Sequence, residues 1–424
     1  MSKEEMYSKI KEFKTLKSVD ESLNLMFKSL KGIRLSTCMV PAPLSLNNFS
    51  AMDVFAKFDV PSFNRSAVDG YAVLSSDLVS SSVTNPTRLE VVQEVFANSN
   101  PNKLRPNSHG EASVVYTGAP IPPGADAVVM VEDTKIEGSK VMVYRPVSPQ
   151  QNVSKKGEDF RTGAIVLKKR TLIKPWHIAA LLSTGNQNVC VYNKLKIGVL
   201  STGSELSDQP SDSDNPIVDT TRPLILSLAK ENFCEAVDLG IVSDDLDKIA
   251  SSIKDALRMV DMVITTGGTS VGSSDLVKEA VLSLGNSSIV FHGVRMRPGR
   301  PTGLALVKGK PVFMLSGYPV AAFTGFEVFV KKALDHLRGP ASFPYQTVPA
   351  LLSRRLAKPV GVKAFVRVKV SKGDKGVFIA EPLRLTGSGL LSTLTNGDGL
   401  VVIDEDLEGY DEGDKVDVSL LKPI

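Results

Sequence analysis

Cysteine is scarce in this chain. Cys38, Cys190 and Cys234 are the only three in 424 residues, too few and too scattered for a disulfide framework or a zinc site, so buried free thiols are expected. The four histidines, His109, His177, His292 and His336, show no ligand spacing, and any bound metal is therefore expected to be held through oxygen. Long apolar runs are missing too. Stretches such as Ile178 to Leu182 and Ile197 to Leu200 fall far short of the roughly 20 residues that span a bilayer. The first twenty residues are rich in Lys and Glu and carry no signal core, so a cytoplasmic protein without a membrane partner is expected. An excess of one charge is also lacking. Fifty basic residues against 46 acidic ones leave +4, and no basic tract is interleaved with aromatics, which argues against nucleic acid. Neither the nucleotide loop GxxxxGK[ST] nor the dinucleotide fingerprint GxGxxG is present, so neither activity is indicated.

What remains is ordinary globular material. Hydrophobic residues make up 42% and charged residues 23%, with mean hydropathy near zero, and the length exceeds what one core serves. Several domains are expected. Residues 1–33 hold apolar positions at helical spacing, among them Leu23, Met26 and Leu30, predicting one or two amphipathic helices. From about Phe55 to Val147, short β-branched runs (Leu89 to Val95, Ala112 to Tyr116, Ala127 to Val131, Lys140 to Tyr144) alternate with turn clusters, the pattern of a small β-rich domain. A helix is expected at Trp176 to Leu182, packing back onto the N-terminal helices. From Lys194 strands and helices alternate: strands at Lys196 to Leu200, Ala236 to Val242 and Met262 to Thr265, and helices after Pro223, at Leu246 to Met259, Ser274 to Leu284 and Val320 to Leu337. This predicts a doubly wound α/β domain whose ligand lies beyond the carboxyl ends of the strands. After Gly339-Pro340 short alternating strands return, marking a C-terminal β domain.

Four features could carry chemistry. Thr265-Thr266-Gly267-Gly268-Thr269-Ser270-Val271-Gly272 joins a strand to a helix, and its glycines, amide hydrogens and hydroxyls suit phosphate or another oxyanion. Arg295 to Gly303 packs three arginines among prolines and glycines, a stiff anion clamp in which Arg297 and Arg300 fork onto oxygens. Leu315-Ser316-Gly317-Tyr318-Pro319 brings a hydroxyl and an aromatic face to the same rim. Finally, Glu205, Asp219, Asp244, Asp245 and Asp275 fall at predicted strand ends. Carboxylates beside a phosphate site repel it unless a divalent cation lies between them, and magnesium would resolve that conflict. Singly, Asp244 and Asp275 read better as helix caps. Three further loops, Asn64 to Val73, Tyr116 to Pro120 and Lys156 to Phe160, mix glycine with acids or hydroxyls.

In order along the chain, Ser66-Ala67-Val68-Asp69-Gly70-Tyr71-Ala72, Thr117 to Pro120, Gly124 to Met130, Gly157-Glu158-Asp159, Ser201 to Leu206, Asp219 to Thr221, Gly267 to Asp275 and Pro298 to Pro301 resemble the motifs of the molybdopterin molybdenumtransferase family. This is the family known as MoeA in bacteria and as the gephyrin E domain in animals, and the match points to a prokaryotic or archaeal type. The resemblance covers nearly the whole chain. It implies an elongated chain of four domains: residues 1–45 with 148–192, a β-rich domain at 46–147, a MogA-like α/β domain at 193–339, and a C-terminal β-barrel-like domain at 340–424. It also implies a homodimer with a shared cleft, and a reaction of adenylylated molybdopterin with molybdate or tungstate, using magnesium and releasing AMP. By position, Asp69, Thr117 and Asp159 would act from one subunit and Glu205, Asp244 and Asp275 from the other, with Asp244 and Asp275 toward the metal. Gly267, Gly268, Thr269, Ser270, Gly272, Arg297, Arg300, Ser316 and Tyr318 would bind substrate. Other readings the resemblance leaves open are an adenylyltransferase acting one step earlier, itself a candidate partner, and a catalytically weak binding or scaffold protein. Arg297 and Arg300 stand where the family commonly has lysines, Ser204 where it often has aspartate, and Tyr318 where it has a small amide. These departures keep tungstate open as the oxyanion.

Overall fold

In a computed structural model the described residues are 16–210, 217–268, 275–341, 345–373, 376–383 and 389–424. The chain forms two compact units. The larger takes in Met1–Cys38, Asn47–Phe49 and Tyr192–Ile424, and the smaller Met39–Leu46 and Ser50–Val191.

Helix α1 (Val19–Leu30) belongs to the larger unit. Ser18 caps it by accepting the Glu21 N–H at 3.0 Å, and Val19, Leu23, Met26 and Leu30, spaced by four, three and four, bury one stripe. That stripe joins the core of the α/β sheet, beside Phe291, Leu304 and Phe329.

The smaller unit is built on a six-stranded sheet of β1 (Gly70–Val73), β2 (Thr87–Val95), β3 (Glu111–Val115), β4 (Ala127–Met130), β5 (Thr134–Glu137) and β6 (Lys140–Val143), in the order β4-β1-β3-β2-β6-β5. Period-two alternation of Val and Ala fills one face with Tyr71, Val73, Leu89, Ala112, Val129 and Val141. Helix α2 (Pro175–Ser183) packs within the same unit, burying Leu181 with Ile173 and Val189.

The larger unit holds a second six-stranded sheet. Its strands are β7 (Lys196–Thr202), β8 (Glu235–Val242), β9 (Met262–Thr266), β10 (Ser287–His292), β11 (Gly303–Val307) and β12 (Lys310–Leu315), ordered β8-β7-β9-β12-β11-β10. The first four are parallel; β11 and β10 add an antiparallel edge. β9 is buried at every position, as a parallel strand covered on both faces must be. The covering helices are α3 (Thr221–Glu231), α4 (Leu246–Met259), α5 (Leu276–Ser283), α6 (Pro319–Gly325) and α7 (Lys331–Arg338), the last two joined by a π-helical stretch, Phe326–Val330. Asp245, not Asp244, caps α4 by accepting the Lys248 N–H at 3.0 Å, worth about 1 kcal/mol.

The C-terminal strands are β13 (Thr347–Leu352), β14 (Lys363–Lys372), β15 (Phe378–Pro382), β16 (Gly399–Ile403) and β17 (Lys415–Leu420). The order β14-β15-β13-β17-β16, with β16 pairing back onto β14, closes a five-stranded barrel around Val348, Val366, Val368, Ala380, Val401 and Val418. The doubly wound α/β and β architecture expected from the sequence is thus present. Of the free thiols only Cys234 is buried; Cys190 is half-buried and Cys38 exposed, because Cys38 lies on a short strand whose residues face largely outward. No helix among the described residues is long and apolar enough to cross a membrane.

Candidate functional site

One cavity of about 1110 Å³ opens at the carboxyl ends of β7, β9 and β12, where a doubly wound sheet places its ligands. Each wall has a sequence reason. Gly267 and Gly268 leave β9 with φ of +87° and +63°, and a Cβ at Gly267 would lie 2.3 Å from the Thr202 carbonyl oxygen. Only glycine permits that turn. Thr269, Ser270 and Gly272 lie outside the described residues.

A second wall is the turn from Arg295 to Thr302. It closes through the Val294 N–H on the Arg300 carbonyl (2.8 Å) and the Thr302 hydroxyl on the Gly299 carbonyl (2.7 Å). The short strand Met296–Arg297 pairs with Lys363 and Ala364 of the barrel, so the turn is tied down at its base while the Arg297 and Arg300 side chains stay exposed on the cavity. The third wall is the entry to α6. Buried Ser316 accepts the Tyr318 N–H at 3.2 Å, Gly317 packs on Gly267, and the Thr221 hydroxyl donates to the Gly317 carbonyl at 2.6 Å. Tyr318 is 62% exposed, with its ring edge beside Gly389 of the C-terminal segment.

Acids complete the rim. Glu205 folds over Gly203, its Oε2 2.9 Å from where a Cβ at 203 would stand. Asp244 Oδ2 accepts the Ser204 N–H at 3.0 Å while the Ser204 hydroxyl accepts the Asp244 N–H at 3.0 Å, so Ser204 serves as a clamp for Asp244. Asp219, buried at the cavity wall, accepts the Thr221 and Arg222 N–H groups at 3.1 Å and lies 3.6 Å from the Arg222 guanidinium. Asp275 does not line the cavity. Its Oδ1 caps α5 by accepting the Lys278 N–H at 3.2 Å, and its Oδ2 lies 2.6 Å from His292 Nε2.

The smaller unit holds the other expected residues. Thr117 donates both its N–H (2.7 Å) and its hydroxyl (2.8 Å) to Asp69 Oδ1. These bonds hold the exposed Asp69 carboxyl below the usual carboxylate range. Asp159 sits on a separate exposed loop, its N–H on the Val60 carbonyl at 3.1 Å.

Sequence reasoning therefore placed Glu205, Asp244, Gly267, Gly268, Arg297, Arg300, Ser316 and Tyr318 on a single cavity. Thr202, Thr266, Asp219 and Pro298 line the same space; all four fell inside the segments singled out in the sequence, Asp219 as one of the strand-end acids, but none was given a role of its own, since threonines at strand ends carry no signal that separates lining from packing. Among the described residues no group of three or more His, Cys, Asp or Glu side chains could by itself hold a metal ion. The donors present, Glu205 and Asp244, suit a cation that takes one or two carboxylates and completes its shell from substrate phosphates and water, as magnesium does.

Three family models cover the chain in succession: the MoeA N-terminal region (domain I and II) at residues 17–185, the "Probable molybdopterin binding domain" at 198–336, and the MoeA C-terminal region (domain IV) at 349–421. The chain is 36% identical over 377 residues to a molybdopterin molybdenumtransferase of Staphylococcus aureus, covering 89% of each chain. It is 35% identical over 385 residues to that of Bacillus subtilis, covering 89% of this chain and 88% of the other. The crystal structure of a molybdopterin biosynthesis MoeA protein from Pyrococcus horikoshii superposes with a TM-score of 0.81 at 34% identity, over 96% of this chain and 100% of that one. With all three regions matched in order over a fold of the same topology, the chain belongs to the MoeA family of molybdopterin molybdenumtransferases.

Proposed function

We propose that this chain inserts molybdate, or tungstate, into adenylylated molybdopterin in a magnesium-dependent reaction that releases AMP. The observation that carries this reading is the convergence on one cavity of two always-charged arginines, a double-glycine turn and two exposed carboxylates. Its volume of about 1110 Å³ exceeds the about 300–1,000 Å³ typical of small-molecule pockets, so it suits a ligand larger than one oxyanion.

Arg297 and Arg300 engage the anionic oxygens of the substrate and of the incoming oxyanion, and the backbone of Gly267 and Gly268 approaches the phosphates closely. Magnesium would be held by Asp244 with Glu205 and the substrate phosphates, supplying charge neutralisation at the anhydride. Asp275 supports this wall from the start of α5. Glu205 accepts the proton of a water whose oxygen adds to phosphorus as the anhydride P–O bond breaks and AMP leaves. Asp69, Thr117 and Asp159 contribute from the second copy of a homodimer, within the four-domain division set out above. An upstream adenylyltransferase supplies the adenylylated substrate.

The test is incubation of purified protein with adenylylated molybdopterin, magnesium and either molybdate or tungstate. AMP release coupled to cofactor formation is expected. Binding without AMP under either oxyanion would reduce the chain to a carrier, and formation of adenylylated molybdopterin from molybdopterin and ATP, with release of pyrophosphate, would mark an adenylyltransferase.

A further inference from the structure

The loops that bear the two anion-binding turns are joined by one polar contact. Helix α5 follows the glycine turn, and Asp275 caps it. His292 ends β10, immediately before Gly293 and the arginine turn. Its Nε2 lies 2.6 Å from Asp275 Oδ2, with side-chain exposures of 13% and 18%. Nε2 is shut off from solvent and makes no well-aligned hydrogen bond among the described residues; the charged oxygen it lies against is Asp275 Oδ2, at ion-pair distance.

The ring has this place because position 303 is glycine. His292 pairs with Gly303 across the β10–β11 ladder, and a Cβ there would come within 2.8 Å of His292 Cδ2. The imidazole therefore fills space that any larger residue at 303 would take. Asp275 Oδ1 accepts the helix-end N–H and Oδ2 lies against the ring, so turning the carboxylate would break one hydrogen bond and one close polar contact. Such doubly held groups are how sites acquire fixed geometry.

We infer that His292 is a positioning residue for the reaction, holding Asp275, and through it the start of α5, in register with the arginine turn. An anhydride whose phosphates reach both turns needs their spacing fixed before it arrives, because reorganisation during the reaction adds to the barrier. The inference rests on the transferase reading for its catalytic arm and on geometry alone for its binding arm.

Three proteins separate the possibilities: wild type, His292→Leu, which keeps bulk and removes the polar nitrogen, and His292→Gln, whose side-chain amide nitrogen can reach the same point. Cofactor formation is followed for kcat and KM, and inorganic pyrophosphate is titrated by calorimetry as a probe of the two turns. His292→Leu is expected to lower kcat by about 10–100-fold, the range found when a group supporting a site residue is removed. KM should change by less than about threefold, pyrophosphate should bind about tenfold more weakly, and His292→Gln should recover most of both. A folded His292→Leu protein with wild-type kcat and pyrophosphate affinity overturns the inference. So does a folded His292→Gln protein as impaired as His292→Leu, since that would show the polar nitrogen to be irrelevant. If His292→Leu does not fold, the comparison of His292→Gln with wild type decides, because an amide that restores the fold and both readouts supports the role and one that restores the fold alone refutes it. Should wild-type protein form no cofactor, the transferase reading falls, while the pyrophosphate series still tests His292 by itself.

Discussion

The acidic loop of the smaller unit and the glycine turn of the larger one are assembled by opposite means. Asp69 is exposed and takes its direction from two hydrogen bonds of one neighbour, Thr117. The turn at Gly267 and Gly268 has no side chain to direct; it is defined by backbone packed so tightly that a methyl group would strike the Thr202 carbonyl. A site made by surface hydrogen bonds can lose a partner and relax into water, whereas one made by packing has nowhere to relax. Stability should therefore report on the larger unit and titration on the smaller.

The sharpest break of that contrast would be a tolerated substitution at the glycine turn. Gly267→Ala would put a Cβ 2.3 Å from the Thr202 carbonyl oxygen at φ +87° and should cost about 3 kcal/mol in a urea titration; wild-type stability would show that packing does not define the turn. Next in size is Glu205→Gln, expected to lower kcat on the order of 100-fold with unchanged thermal stability. Mixed with Asp69→Asn, it should regain part of the lost activity if the proposed homodimer shares its cleft, since a mixed dimer would then hold one intact site; no recovery would argue that the two acids act within one copy. Arg297→Ala should weaken pyrophosphate binding about tenfold, one charged hydrogen bond's worth, and Arg297→Lys less, as the charge remains without the fork. The smallest effect belongs to Thr117→Val. It removes the hydroxyl while the N–H stays, so the Asp69 titration followed by NMR should move up toward the ordinary carboxylate range. Because the folded-state pKa is depressed, the stabilisation linked to this ion is present above the unfolded-state pKa and is lost as pH falls through the folded value. An unmoved titration would mean that the N–H alone orients Asp69.

Much of the fold was legible because its periodicities are strong. Leu246 to Met259 reads as an amphipathic helix and is one. Met262 to Thr265 reads as a buried strand and extends only to Thr266. The edge strands β10 and β11 gave no comparable signal, since Ser287–His292 and Gly303–Val307 sit among turns rich in glycine and lack a crossover helix between them. At the site, glycines and arginines were readable because few other residues tolerate those conformations or carry that charge. The acids were not sorted. Asp244, Asp245 and Asp275 look alike in sequence, yet Asp244 lines the cavity, Asp245 caps α4, and Asp275 caps α5 and meets His292.

Residue types and their order along the chain determined that this protein would have an α/β domain flanked by β domains, a glycine turn at a strand end and a family. Which carboxylate faces the cavity, which one closes a helix, and that a histidine seventeen positions away, counting 292 minus 275, abuts one of them were decided by tertiary structure. Spacing sets what lies on one helix or strand, but neighbours across a sheet are chosen by register and by the room that residues such as Gly303 leave.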